Sequence, residues 1–143
     1  MILKMGIRIA GAMALLLAGY ALGAAYAPEV AAQPSGTSVF ELRTYTTPEG
    51  NFDMLNARFR DHTRHIFERH GITNIGYWTP IDTPNTLIYI VAHPSQEAAK
   101  KNWAAFRADP EWKKVSAETQ AKGLTGVKVE SKYLLPTDYS AIK

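Results

Sequence analysis

The run Val39-Phe40-Glu41-Leu42-Arg43-Thr44-Tyr45 alternates and is rich in strand-forming residues, which predicts a first strand. Pro48-Glu49-Gly50 breaks it, and Asn51 is placed to cap a helix with Asp53 in its first turn. Phe52, Leu55, Phe59, His62 and Ile66 recur at helical spacing and form the core-facing stripe of that helix as far as His70. Gly71 suits the left-handed residue that ends it. A second strand is expected over residues 72–79, closed by Pro80 and the turn-prone Asp82-Thr83-Pro84-Asn85. Residues 86–92 form a continuous apolar run, the pattern of a strand buried on both faces. Ser95 caps a second helix with Ala99, Trp103 and Phe106 on one face. Asp109-Pro110 gives a further start signal, and Trp112, Val115 and Thr119 continue the stripe to Gly123. A last strand spans residues 127–135. The order β-α-β-β-α-β predicts an α+β, ferredoxin-like subunit, an antiparallel sheet with helices on one face.

Strand alternation sorts the side chains. In the third strand Leu87, Tyr89 and Val91 share one face and Ile88 and Ile90 the other; the last strand groups Val129, Tyr133 and Leu135. A single domain cannot cover both faces, so a homodimer packed sheet against sheet is expected, with Tyr89→Glu splitting it. Phe40 and Leu42 are assigned to the helix side. Glu41, Arg43 and Tyr45 then face the dimer interior, paired with one another or lining a wet cavity.

The N-terminus carries a different pattern. Lys4 and Arg8 precede an uncharged run over residues 9–27 centred on Ala12-Met13-Ala14-Leu15-Leu16-Leu17-Ala18, the order of a secretory signal peptide. Cleavage is favoured after Ala32, because the alternative after Ala27 would place Pro28 at the cut; an uncleaved membrane anchor is the competing reading. The expected division is a signal peptide over 1–32, a lead-in over 33–38 and one domain over 39–143. The mature protein would be periplasmic or secreted, without stable membrane association. Removing 1–32 leaves 14 basic and 12 acidic residues, a net of +2 with no basic stripe, which argues against nucleic acid. The chain has no cysteine, so disulfides, thiolate chemistry and Cys-ligated metals are excluded.

Phe40-Glu41-Leu42-Arg43-Thr44-Tyr45, Phe67-Glu68-Arg69-His70-Gly71-Ile72 with Ile75-Gly76-Tyr77-Trp78, Asp109-Pro110-Glu111-Trp112 and Tyr133-Leu134-Leu135-Pro136-Thr137-Asp138-Tyr139 resemble the NIPSNAP family. The resemblance implies a dimeric α/β-barrel of ferredoxin-like subunits. The wider superfamily includes cofactor-free oxygenases, haem-handling proteins and small isomerases or decarboxylases, so it names no single reaction.

Candidate chemistry is sparse. His62 and His65, at i and i+3 beside Asp61, have metal-ligand spacing, but one packed and one surface histidine fit better, and no metal or cofactor is expected. His70 suits a helix C-terminus, and His93, before Pro94, has no recognisable partner. Arg43 is a candidate clamp for a carboxylate or phosphate, against an ion pair with Glu41 or Glu130. Tyr45, Tyr77, Trp78, Tyr89 and Trp103 are candidate walls of an aromatic pocket, although Trp103 and Trp112 have helical-core spacing. Residues 81–85 are long enough for a lid but ordinary for a strand connection. Three readings follow: a dimeric binding protein holding a small molecule with Arg43, Tyr45, His62, Tyr77 and Tyr89; a cofactor-free or haem-dependent enzyme with His62 as base or axial ligand; and an assembly module.

Overall fold

The computed structural model describes residues 38–143; the expected signal peptide over 1–32 and most of the lead-in lie outside them. The elements are β1 (Val39–Thr46), α1 (Phe52–Arg58), a π-helical turn (Phe59–Thr63), α2 (Arg64–Arg69), β2 (Thr73–Trp78), β3 (Thr86–His93), α3 (Gln96–Ala108), α4 (Pro110–Ala121) and β4 (Lys128–Leu134). The strands form one antiparallel sheet in the order β2-β3-β1-β4. The helices cover one face, as the ferredoxin-like pattern requires. The core between the layers is built from Leu55, Phe59, Ile66, Phe67, Ile72, Tyr89, Val91, Trp103 and Phe106.

Local chemistry explains most boundaries. Ser95 Oγ accepts from Ala98 N–H at 3.0 Å, and Asp109 caps α4 by accepting from Glu111 and Trp112 N–H at 2.8 and 3.1 Å. α2 ends at Gly71, φ +69°, with Ile72 N–H bonded to Phe67 O and Gly71 N–H to Glu68 O, the Schellman pattern. Asn51 stands at the start of α1 without a side-chain cap bond; its amide donates to Gly123 O at 3.0 Å and ties the two helix ends together.

The first helix departs from its expected stripe. The π turn inserts one extra residue after Phe59, so Thr63 rather than His62 rotates into the core. Thr63 Oγ1 donates to Arg58 O at 3.2 Å, engaging a carbonyl at the irregular turn. His62 is half exposed, 3.8 Å from Glu111, on the outer surface.

The faces of β1 are also the reverse of the expectation. Glu41, Arg43 and Tyr45 point toward the helices with Tyr89 and Val91, whereas Phe40 and Leu42 lie on the open face with Ile88 and Ile90. Glu41 reaches Trp103 of α3, and Tyr45 packs on Phe59, contacts possible only on the helix side. Tyr89 is fully buried there, so Tyr89→Glu would disrupt the chain's own core and does not report on an interface. On the open face, residues 135–142 fold back over the sheet and form grooves of about 520 and 310 Å³, with Phe40, Ile75 and Ile142 lining both.

Candidate functional site

The strand register builds a polar cluster beneath the helices. Positions 41, 43 and 45 of β1 share a face by the two-residue repeat, and β3 and β4 place His93, Tyr89, Ser131 and Tyr133 on either side. Glu41 is 1% exposed. Its Oε1 accepts from Arg43 Nη1 at 2.6 Å and Ser131 Oγ at 2.5 Å; its Oε2 accepts from Trp103 Nε1 at 2.6 Å and faces His93 Nε2 at 3.3 Å. Burial by itself would raise the carboxyl pKa. The bonds from His93, Ser131 and Trp103 and the charge of Arg43 outweigh it and hold the group at about 2. Glu41 is therefore an ionised, four-coordinated anchor.

Arg43 is held in place from three sides. Its guanidinium carbon lies 4.4 Å from the Trp103 ring centroid and 5.7 Å from that of Tyr45, and Nη2 reaches the Tyr45 hydroxyl at 3.4 Å. Burial opposes its charge, but Tyr89, Tyr45 and Glu41 more than compensate, so its pKa is raised. Nε has no partner, and the side chain remains 17% exposed. Of the two ion-pair partners expected from sequence, Glu41 is the one engaged. Glu130 pairs in register with Thr44 and points to the open face.

The tyrosines cluster as aromatic walls. Tyr45 and Tyr89 lie 5.4 Å apart between centroids, Tyr77 stacks on Tyr89 at 5.2 Å and 22°, and Phe59 touches all three. Tyr77 donates to Asn74 Oδ1 at 2.5 Å, and burial pushes its pKa up. Burial also raises the Tyr89 pKa well above its ordinary value, and its hydroxyl has no partner. Trp78 lies on the opposite face, its ring folded over Gly76, where a Cβ would come within 2.5 Å of the indole.

The structure thus brings Arg43, Tyr45, Tyr77 and Tyr89 into one layer and leaves His62 outside it. His65 is exposed, and among the described residues no group of three His, Asp or Glu side chains is placed to hold a metal. His70 Nε2 lies 2.7 Å from Asp109 Oδ2, which Arg69 also reaches at 3.3 Å. Sequence reasoning missed the partnership of His93 and Ser131 with Glu41, because they lie 52 and 90 residues away and carry no motif. It also missed Arg58, a buried guanidinium at the end of α1, 5.2 Å from the Trp112 ring. Its position three residues after Leu55, on the apolar stripe, was the available signal.

Comparison with known proteins adds the family. The NIPSNAP family model matches residues 40–141. No curated protein matches the chain. A NIPSNAP family protein with unknown function from Agrobacterium tumefaciens is 21% identical, with a TM-score of 0.65 over 78% of this chain and 97% of its own. An uncharacterized NIPSNAP-like domain protein from Burkholderia xenovorans is 22% identical, with a TM-score of 0.63 over 72% and 88%. SnoaB, a cofactor-independent oxygenase from Streptomyces nogalater, shares the fold at 16% identity and a TM-score of 0.52 over 73% and 99%. With a family match spanning the whole folded domain and the same subunit fold in its structural relatives, this chain belongs to the NIPSNAP family.

Proposed function

We propose that this NIPSNAP-family protein is an exported, homodimeric binder of a small, partly apolar anion, held by Arg43 and a tyrosine hydroxyl between sheet and helices. The observation that carries the reading is Arg43 itself: a permanently charged fork, wedged against Trp103, with an unpartnered Nε and residual exposure. Glu41 fixes the guanidinium before any ligand arrives, which reduces the ordering cost of binding. Tyr45, Tyr77 and Tyr89 offer an apolar wall with polar tips. The apolar open face, with Leu42, Ile88 and Ile90 on adjacent strands, supports pairing of two sheets.

A second reading, a cofactor-free enzyme, has one specific feature in its favour. His93 faces the Glu41 carboxylate through Nε2 while its Nδ1 has no partner, the arrangement of an oriented imidazole base.

Native mass spectrometry of protein purified from its own host, without added ligand, tests the binding reading. The expected result is a dimer carrying a discrete organic mass that Arg43→Ala loses. Ligand-free spectra for both proteins would refute it.

A further inference from the structure

Strand pairing orders the open face of the sheet into rows. Trp78, Ile88, Thr44 and Glu130 align across β2, β3, β1 and β4, and Gly76, Ile90, Leu42 and Lys132 form the next row. Ala92, Phe40 and Leu134 make a third, where residues 135–142 fold over the sheet. Phe40 is accordingly buried. The first two rows remain accessible: Trp78 is 51% exposed, Leu42, Ile88 and Ile90 are half-buried, and Glu130 and Lys132 are exposed.

Trp78 is seated on this face by the residue next to it in space. Its ring folds over Gly76, where a Cβ would come within 2.5 Å of the indole. The missing side chain lets the ring lie down on the sheet, and a glycine inside a strand marks a place where another backbone can approach closely. The accessible face thus runs from a seated aromatic at β2, through three aliphatic side chains, to one acid and one base at β4.

Two sheets pack face to face about 10 Å apart with their strands nearly aligned. A two-fold axis along the strands would set Trp78 against the charged β4 of a second copy. An axis across the strands sets each strand over its own copy, and charge fixes its position. Centred on either row, it opposes two copies of Glu130 or two of Lys132. Midway between the rows, it lays the first row over the second. Glu130 then meets the partner's Lys132, Ile88 meets the partner's Ile90, and the two indoles meet at the axis. The aliphatic and aromatic positions fall at the centre and the charges at the rim, the ordinary layout of a stable interface.

We propose that this face pairs with a second copy of the chain across that axis, anchored by the two stacked Trp78 indoles and held in register by Glu130 against the partner's Lys132. This rests on the homodimer reading above and gives it an orientation and an anchor.

Sedimentation equilibrium of the purified protein measures the dimer Kd. Glu130→Lys and Lys132→Glu each oppose like charges twice per dimer and are expected to weaken it about ten-fold or more. Both substitutions on one chain restore opposite pairs, and the Kd should return to within about three-fold of wild type. Trp78→Ala should weaken the dimer about thirty-fold or more, as loss of a central aromatic does. Tryptophan emission gives a second readout. Diluting wild type through its Kd should shift the emission to longer wavelength, and Trp78→Phe, which leaves only Trp103 and Trp112, should abolish the shift. Single charge variants that dimerise like wild type, or whose combination restores nothing, would overturn the orientation, while Ile90→Glu still decides the sheet pairing. An unchanged Kd for Trp78→Ala would overturn the anchor. A wild type that stays monomeric at every concentration would overturn both this arrangement and the pairing on which it rests.

Discussion

Replacing Glu41 by Gln keeps the shape of the side chain and removes its charge. On the Oε1 side the amide meets Arg43 and Ser131, and on the Oε2 side Trp103 and His93. Ser131 can rotate to accept, and His93 can change tautomer, but Arg43 and Trp103 only donate. Whichever way the amide turns, its NH2 faces one obligate donor, and Arg43 loses its counter-ion. Removing one partner of a buried pair costs about 3–5 kcal/mol. Titration gives a similar figure: a carboxyl held at about 2 instead of 4.5 contributes about 3 kcal/mol, at roughly 1.36 kcal/mol per pH unit. Urea denaturation at pH 7 and fixed protein concentration should therefore show a loss of about 3 kcal/mol, or a melting temperature lower by about 12 °C or more. The folded-state pKa is depressed, so this stability is present in full above pH 4.5 and is lost as pH falls toward 2. The wild-type and Glu41→Gln curves should converge in acid. A difference below about 0.5 kcal/mol at pH 7, with parallel pH curves, would refute the view of Glu41 as the charged anchor of the site.

Thr63→Val removes the hydroxyl that bonds Arg58 O in the π turn and should cost about 1 kcal/mol in urea; no loss would show that the turn does not depend on it. Asp109→Ala deletes the cap of α4 together with the partner of His70 and Arg69, and should cost about 1–2 kcal/mol by the same assay. The bond from His70, above all, holds the Asp109 carboxyl well below its usual 3.8, so its contribution is present above that pH and fades in stronger acid; a wild-type advantage that grew in acid would contradict this. Ile90→Glu places a charge on the open sheet face and should give a folded monomer on a sizing column, with unchanged circular dichroism. A folded variant eluting as a dimer would refute the sheet-to-sheet pairing.

The chain itself determined the secondary structure and its order. Short-range signals act within a few residues: alternation over 39–45, the Ser95 and Asp109 caps, and the left-handed glycine after His70 all operate where they are written. The position of Arg43 on a central strand and the aromatic character of its neighbours were legible for the same reason. What the pattern did not decide was the face. Both sides of β1 and β3 carry apolar residues, so hydrophobicity alone does not say which side meets the helices. The four donors around Glu41, from β1, β3, α3 and β4, settle it in the folded chain. His62 left the core for a related reason: the π turn brings Thr63 inward in its place while Ile66 keeps its core position, and no local motif announces that turn. Charge complementarity between distant segments is a property of the packed layers, whereas caps, turns and alternation belong to the chain.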